Sequence, residues 1–239
     1  MKKSENHIGQ IFFDGGSSLI GVGDESGKGG YHGRLEKYYT DYTFQAIRRR
    51  ETLRSRCLWA NVYGTGVIDR TVLEYQETVT DDLKLARDKG LKGYESRTVA
   101  VLLMGSSLLR LLRKNGNDQA LALEDYASAM DAVQAVCEAQ AVSVIGIGTP
   151  IPSDQFSLPN GDKPDSVLRQ TTIELSQAHL ADWNVPYQNF LPLQEITNAS
   201  ERAPDGAHLN AAGYDKVATL LISCINPLLE VDSSIFEQS

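Results

Sequence analysis

One pattern constrains this chain more than any other. Short, nearly unbroken apolar runs end on turn-forming residues, and longer stretches with helical spacing separate them. The runs are Ile8–Phe13, Cys57–Tyr63, Thr98–Met104 and Ala141–Ile147, with a weaker fifth at Val185–Phe190, where Pro186 removes a ladder donor. Continuous apolar strands are buried on both faces, as in a parallel sheet. Apolar residues recur at helical spacing over 67–89, 119–139, 165–183 and 210–229, with Asp165 as an N-cap behind Pro164 and Pro227 near the end of the last helix. Such β-α-β alternation predicts a three-layer α/β/α sandwich with right-handed crossovers. No repeat or linker divides the chain, so residues 1–239 are expected to form a single domain. The proline-rich stretch 148–166 reads as a long surface loop, a place where function often sits.

Composition narrows the partners. With 31 acidic residues against 23 Lys and Arg, the formal charge is −8, which disfavours nucleic acid and anionic membranes. Cys57, Cys137 and Cys224 are widely spaced and lie in apolar runs, so buried thiols are expected rather than a disulfide framework. Two N-terminal lysines are followed by no apolar h-region, and no run approaches a membrane span. The expectation is a cytoplasmic protein without membrane insertion. No His, Asp and Glu group has metal-ligand spacing. The glycines from Gly21 to Gly30 lack the phosphate-loop pattern, since Lys28 is followed by Gly29-Gly30. Arg48-Arg49-Arg50 with Arg54 and Arg56 reads as a solvated face or, alternatively, an anion-binding patch.

In parallel sheets, ligands sit beyond the carboxyl ends of the strands. The first three runs end there in Gly/Ser-rich turns, which brings Ser17, Gly66 and Ser107 into consideration together. A serine hydroxyl needs a base to take its proton. Of the four histidines, His7 and His32 lack a carboxylate at useful spacing, and His179 falls within a helical pattern. His208 precedes the last helix in a glycine-flanked loop, and Asp205 lies three residues before it, where a tight loop lets a carboxylate orient the ring. Taken singly, Ser17 fits a turn residue and Asp205 a helix cap. Ser18 is an alternative nucleophile if the turn is displaced by one residue.

Taken together, these blocks resemble the SGNH hydrolase (GDSL esterase/lipase) superfamily. Gly15-Gly16-Ser17-Ser18-Leu19-Ile20-Gly21, continuing to Gly23-Asp24, is similar to its first block. Asn61-Val62-Tyr63-Gly64-Thr65-Gly66 resembles the second, and Asp205-Gly206-Ala207-His208-Leu209-Asn210-Ala211-Ala212-Gly213-Tyr214 the last. The resemblance implies a flavodoxin-like sheet of five parallel strands and ester hydrolysis without a cofactor. Ser17 would be the nucleophile, His208 the base and Asp205 its orienting acid. The Ser17 and Gly66 amides, with Ser107, would form the oxyanion hole, and the substrate would be a small-molecule ester.

Two positions depart from the family pattern. Gly16 stands where an aspartate usually precedes the nucleophile, and Asp14 belongs by pattern to the end of the first strand. Ser107 stands where an asparagine usually completes the oxyanion hole, equally readable as a polar loop residue. The letters Gly116-Asn117-Asp118 repeat the missing motif but lie well past the third strand, in a segment that reads as a loop. The alternative function is therefore an attenuated or repurposed relative that binds, or transfers an acyl group. Acyl chain, alcohol and oligomeric state are open at this level.

Overall fold

Apolar residues at every position of Val99–Met104 need a partner layer on each side. In a computed structural model they have both. Val99, Val101 and Leu103 join one buried cluster, and Ala100, Leu102 and Met104 join another on the opposite face. The structure describes residues 7–14, 17–48, 58–61, 95–104, 111–112, 115–149 and 166–229. Its elements are β1 (His7–Asp14), α1 (Ser17–Ile20), α2 (Gly30–Arg48), β2 (Leu58–Asn61) and β3 (Glu95–Met104). There follow α3 (Gln119–Ala139), β4 (Ser143–Gly148), α4 (Ser166–Ala181), β5 (Gln188–Pro192), α5 (Leu193–Ile196), a 3-10 turn (Ala199–Glu201) and α6 (Ala211–Leu229).

The strands form a five-stranded sheet in the order β2-β1-β3-β4-β5, and all four pairings are parallel. This is a doubly wound order. Register aligns Asp14 with Leu102, Met104 with Gly148, and Gly148 with Pro192, so the carboxyl ends share one edge. On one face α2 and α6 pack through Tyr31, Leu35, Tyr214, Val217, Leu221 and Ile225 against Ile11, Phe13 and Val101. On the other, α3 and α4 pack through Tyr126, Met130, Val133 and Leu180 against Leu102, Met104 and Val144. Inside the α2–α6 layer the amide of buried Asn226 is bound by two tyrosines, accepting from Tyr39 Oη at 3.0 Å and donating to Tyr38 Oη at 2.9 Å.

Two expectations change. α2 was not among the expected helices, because its sequence opens on Gly29-Gly30 and carries charged and aromatic residues. Its buried stripe is Tyr31, Leu35 and Tyr39, one residue per turn. The fifth strand runs from Gln188, not Val185. Pro186 sits in the preceding bend, and pairing begins only past the residue that cannot donate. The expected helix over 67–89, the loop over 150–165, Asp165 and Cys57 lie outside the described residues. Cys137 is buried, and burial pushes its thiol up to about 12; Cys224 is partly buried. Among the described residues, no helix is long and apolar enough to cross a membrane.

Asn115–Asp118 forms a turn rather than a displaced motif. Asp118 is the N-cap of α3, accepting from the Leu121 amide at 3.1 Å. The same helix ends in a Schellman arrangement: the Val142 amide reaches the Cys137 carbonyl at 2.9 Å and the Ala141 amide the Glu138 carbonyl at 3.1 Å. Ala141 holds φ of +51°, a region where a Cβ is unfavourable. Ala141→Gly is therefore expected to stabilise the fold by about 0.5–1 kcal/mol, strain relief outweighing the added unfolded-state entropy. Urea denaturation checks it, and a lower midpoint would contradict it.

Candidate active site

Ser17 begins α1 just beyond the end of β1, and His208 enters from the loop ahead of α6. These residues are 191 positions apart, yet Ser17 Oγ lies 2.8 Å from His208 Nε2. His208 Nδ1 lies 2.6 Å from Asp205 Oδ2. An ionised carboxylate only accepts, so Asp205 places the ring proton on Nδ1 and leaves Nε2 to accept from the Ser17 hydroxyl. Among the described residues this edge brings Ser17, Asp205 and His208 together in a continuous relay. Gly66, Ser107 and Gly16 lie outside the described residues.

Local structure explains how the loop holds its shape. Asp205 Oδ1 accepts from the amides of Ala207 at 2.9 Å and His208 at 3.0 Å, so one carboxylate fixes both the turn and the ring. Burial opposes charge on Asp205, but the His208 amide and ring and the Ala207 amide outweigh it and hold the carboxyl below its usual range. The Ala203 amide returns to the His208 carbonyl at 2.9 Å, and Arg202 pairs antiparallel with Leu209. Asn210 caps α6, accepting from the Gly213 amide at 3.0 Å while donating to the Ser200 carbonyl at 2.7 Å.

The other candidates separate clearly. Ser18 is buried, whereas Ser17 is exposed. Asp14 is the last residue of β1. His7 begins β1, at the end of the strand remote from Ser17. His32 packs edge-on against Phe13, centroids 5.1 Å apart, and burial lowers its pKa. His179 on α4 pairs with Asp131 at 2.9 Å. Among the described residues no group of His, Cys, Asp and Glu could hold a metal ion.

Behind the relay lies an ion cluster that the sequence did not suggest. Arg34 on α2 donates through Nη1 to Asp24 Oδ2 at 2.5 Å and through Nε to Asp215 Oδ1 at 2.5 Å. Side-chain exposures of 7% for Arg34 and 1% for Asp24 make theirs a buried pair. The Asp24 carboxyl is held far below the usual carboxylate range, chiefly by Arg34, against the opposing effect of burial. Gly23, at φ +86°, packs so closely that a Cβ there would come within 2.7 Å of the Leu209 carbonyl oxygen and 3.1 Å of His208 Cβ. The Gly-rich segment is thus shaped for close approach to the histidine loop. The only sequence signal was the spacing of Gly21, Gly23 and Asp24 after Ser17.

No family model matches the sequence, and no curated protein matches it. Solved structures do match. A lipase from a goat rumen metagenome is 12% identical, with 91% of this chain and 96% of that chain covered and a TM-score of 0.54. A carbohydrate acetylesterase family member from Sinorhizobium meliloti is 10% identical, covering 92% and 99%, with a TM-score of 0.57. A protein of SGNH hydrolase type from Slackia heliotrinireducens is 14% identical, covering 92% and 100%, with a TM-score of 0.50. The likeness is one of fold: the chain folds as SGNH hydrolases do.

Asp24→Asn leaves Arg34 with Asp215 as its remaining carboxylate and is expected to cost about 1.5–3 kcal/mol at pH 7. The folded carboxyl titrates below its unfolded value, so its contribution is complete above about pH 4 and drains away on acidification. The stability gap between wild type and variant should therefore narrow below that pH in denaturant titrations. A gap that stays constant into strong acid would contradict this.

Proposed function

Starting from the fold of the SGNH hydrolases, we propose that this protein is a serine ester hydrolase acting on small-molecule esters with small or medium acyl groups. The observation that carries the reading is the relay Ser17 Oγ–His208 Nε2 at 2.8 Å and His208 Nδ1–Asp205 Oδ2 at 2.6 Å. Ser17 Oγ attacks the ester carbonyl carbon as its proton passes to His208 Nε2. Asp205 holds the ring in the required tautomer and stabilises the imidazolium. The C–O bond to the alcohol then breaks, and Nε2 returns its proton to the leaving oxygen. Water attacks the acyl-enzyme, giving its proton to Nε2; the acid departs and Ser17 recovers its hydrogen.

The developing oxyanion is assigned to the amides of Ser17 and Gly66, with the Ser107 hydroxyl as a shorter-reaching third donor. No cofactor takes part in this scheme. The structural neighbours described as a lipase and a carbohydrate acetylesterase favour ester chemistry as the general class. A binding or acyl-transfer role rests on the replacements at Gly16 and Ser107, and the same experiments separate it from hydrolysis.

A fluorophosphonate probe is expected to label Ser17 covalently, and Ser17→Ala to lower hydrolysis of a short-chain aryl ester at least about 10³-fold. Undiminished hydrolysis in Ser17→Ala would sink the reading, and a folded wild type silent to both probe and ester would favour the binding role. Ser107→Asn is expected to raise kcat towards the about 10²–10³-fold that one oxyanion donor contributes. An unchanged or lower kcat would remove Ser107 from the oxyanion hole.

A further inference from the structure

We propose that Arg34 is a positioning residue that sets the Ser17–His208 distance from outside the reacting atoms. The inference rests on the reading of those two residues as nucleophile and base. Ser17 opens a helix of four residues, too short to hold itself in place. His208 sits in a loop. Their separation must therefore be imposed by contacts between the segments that carry them.

Arg34 makes those contacts with all three of its nitrogens. Towards the Ser17 side, Nη1 donates to Asp24 Oδ2 at 2.5 Å and to the Gly30 carbonyl at 2.8 Å. Nη2 reaches Asp24 Oδ1 at 3.3 Å and Ser26 Oγ at 3.2 Å. Towards the His208 side, Nη2 donates to the Ala211 carbonyl at 3.2 Å and Nε to Asp215 Oδ1 at 2.5 Å. Ala211 is three residues past His208, and Asp215 is one turn further along α6.

Three shorter links run alongside. Tyr214 Oη donates to the Val22 carbonyl at 2.8 Å, the Ala211 amide donates to Glu25 Oε2 at 3.0 Å, and Gly23 lies against His208. The guanidinium fork is the group that fits this geometry. A lysine would have to serve both sides from a single nitrogen, without the fixed spacing of the fork.

Asp215→Asn tests the proposal without emptying the buried pair, since Asp215 is half exposed and Asp24–Arg34 remains. Its fold is checked by thermal denaturation. On a short-chain aryl ester, kcat is expected to fall about 10- to 100-fold with KM within about twofold, the size of effect that a misplaced reacting group produces. Arg34→Lys should fall further, and Arg34→Met further still, so that lysine partly rescues.

The ring-nitrogen NMR shifts of His208 need no turnover and should move in Asp215→Asn and Arg34→Lys as the Ser17 bond changes. Unmoved His208 shifts, an unchanged kcat, or an effect confined to KM would each overturn the proposal. Retained hydrolysis in Ser17→Ala would instead overturn the ester reading, leaving the His208 shifts to decide the positioning role by themselves.

Discussion

The buried Asp24–Arg34 pair, extended by Asp215, is the interaction on which the edge carrying Ser17 and His208 depends. Removing two charges from water is expensive, and their mutual attraction alone often fails to offset it. Here the surrounding polar groups make up the difference. Asp24 accepts from the amides of Ser26 and Gly30 as well as from Arg34, and Arg34 spends its remaining donors on carbonyls and on Asp215. A pair satisfied on every side tolerates few alternative arrangements. Through the bonds of Arg34 to Ala211 and Asp215 it fixes the approach of the glycine-rich segment to the start of α6, the two segments that flank Ser17 and His208.

The sheet supplies the rest of the geometry. Parallel strands bring their carboxyl ends to one edge, and β1, the second strand in the sheet order, delivers Ser17 there. The chain crosses the sheet through β3, β4 and β5 before returning to that edge with the Asp205–His208 turn. Asp205 then serves two purposes with one carboxylate: Oδ1 tightens the turn and Oδ2 orients the imidazole. The hydrogen bonds that shape the loop also favour the ionised acid, which in turn sets the histidine tautomer.

Much of this was legible in the sequence because the signals were local. Continuous apolar runs marked β3 and β4, whose residues are buried on both faces, and Asp205-Gly206-Ala207-His208 put an acid and a base in one short turn. Other features were not local. α2 hid behind two glycines, and its stripe of Tyr31, Leu35 and Tyr39 alternates with charged residues that mask the amphipathic pattern. Arg34 reads as an ordinary helix cation, because its partners lie 10 and 181 positions away and only the fold brings them together. Pro186 was correctly a ladder breaker, but the strand starts beyond it rather than around it.

The proposed chemistry passes through a covalent acyl group at Ser17, and rapid-quench mass spectrometry of the protein mixed with an aryl acetate tests that most directly. A transient mass gain of one acetyl group that peptide mapping localises to Ser17 is expected, with aryl alcohol released in a burst ahead of steady turnover. Steady hydrolysis with no adduct, or an adduct on any other residue, would contradict it.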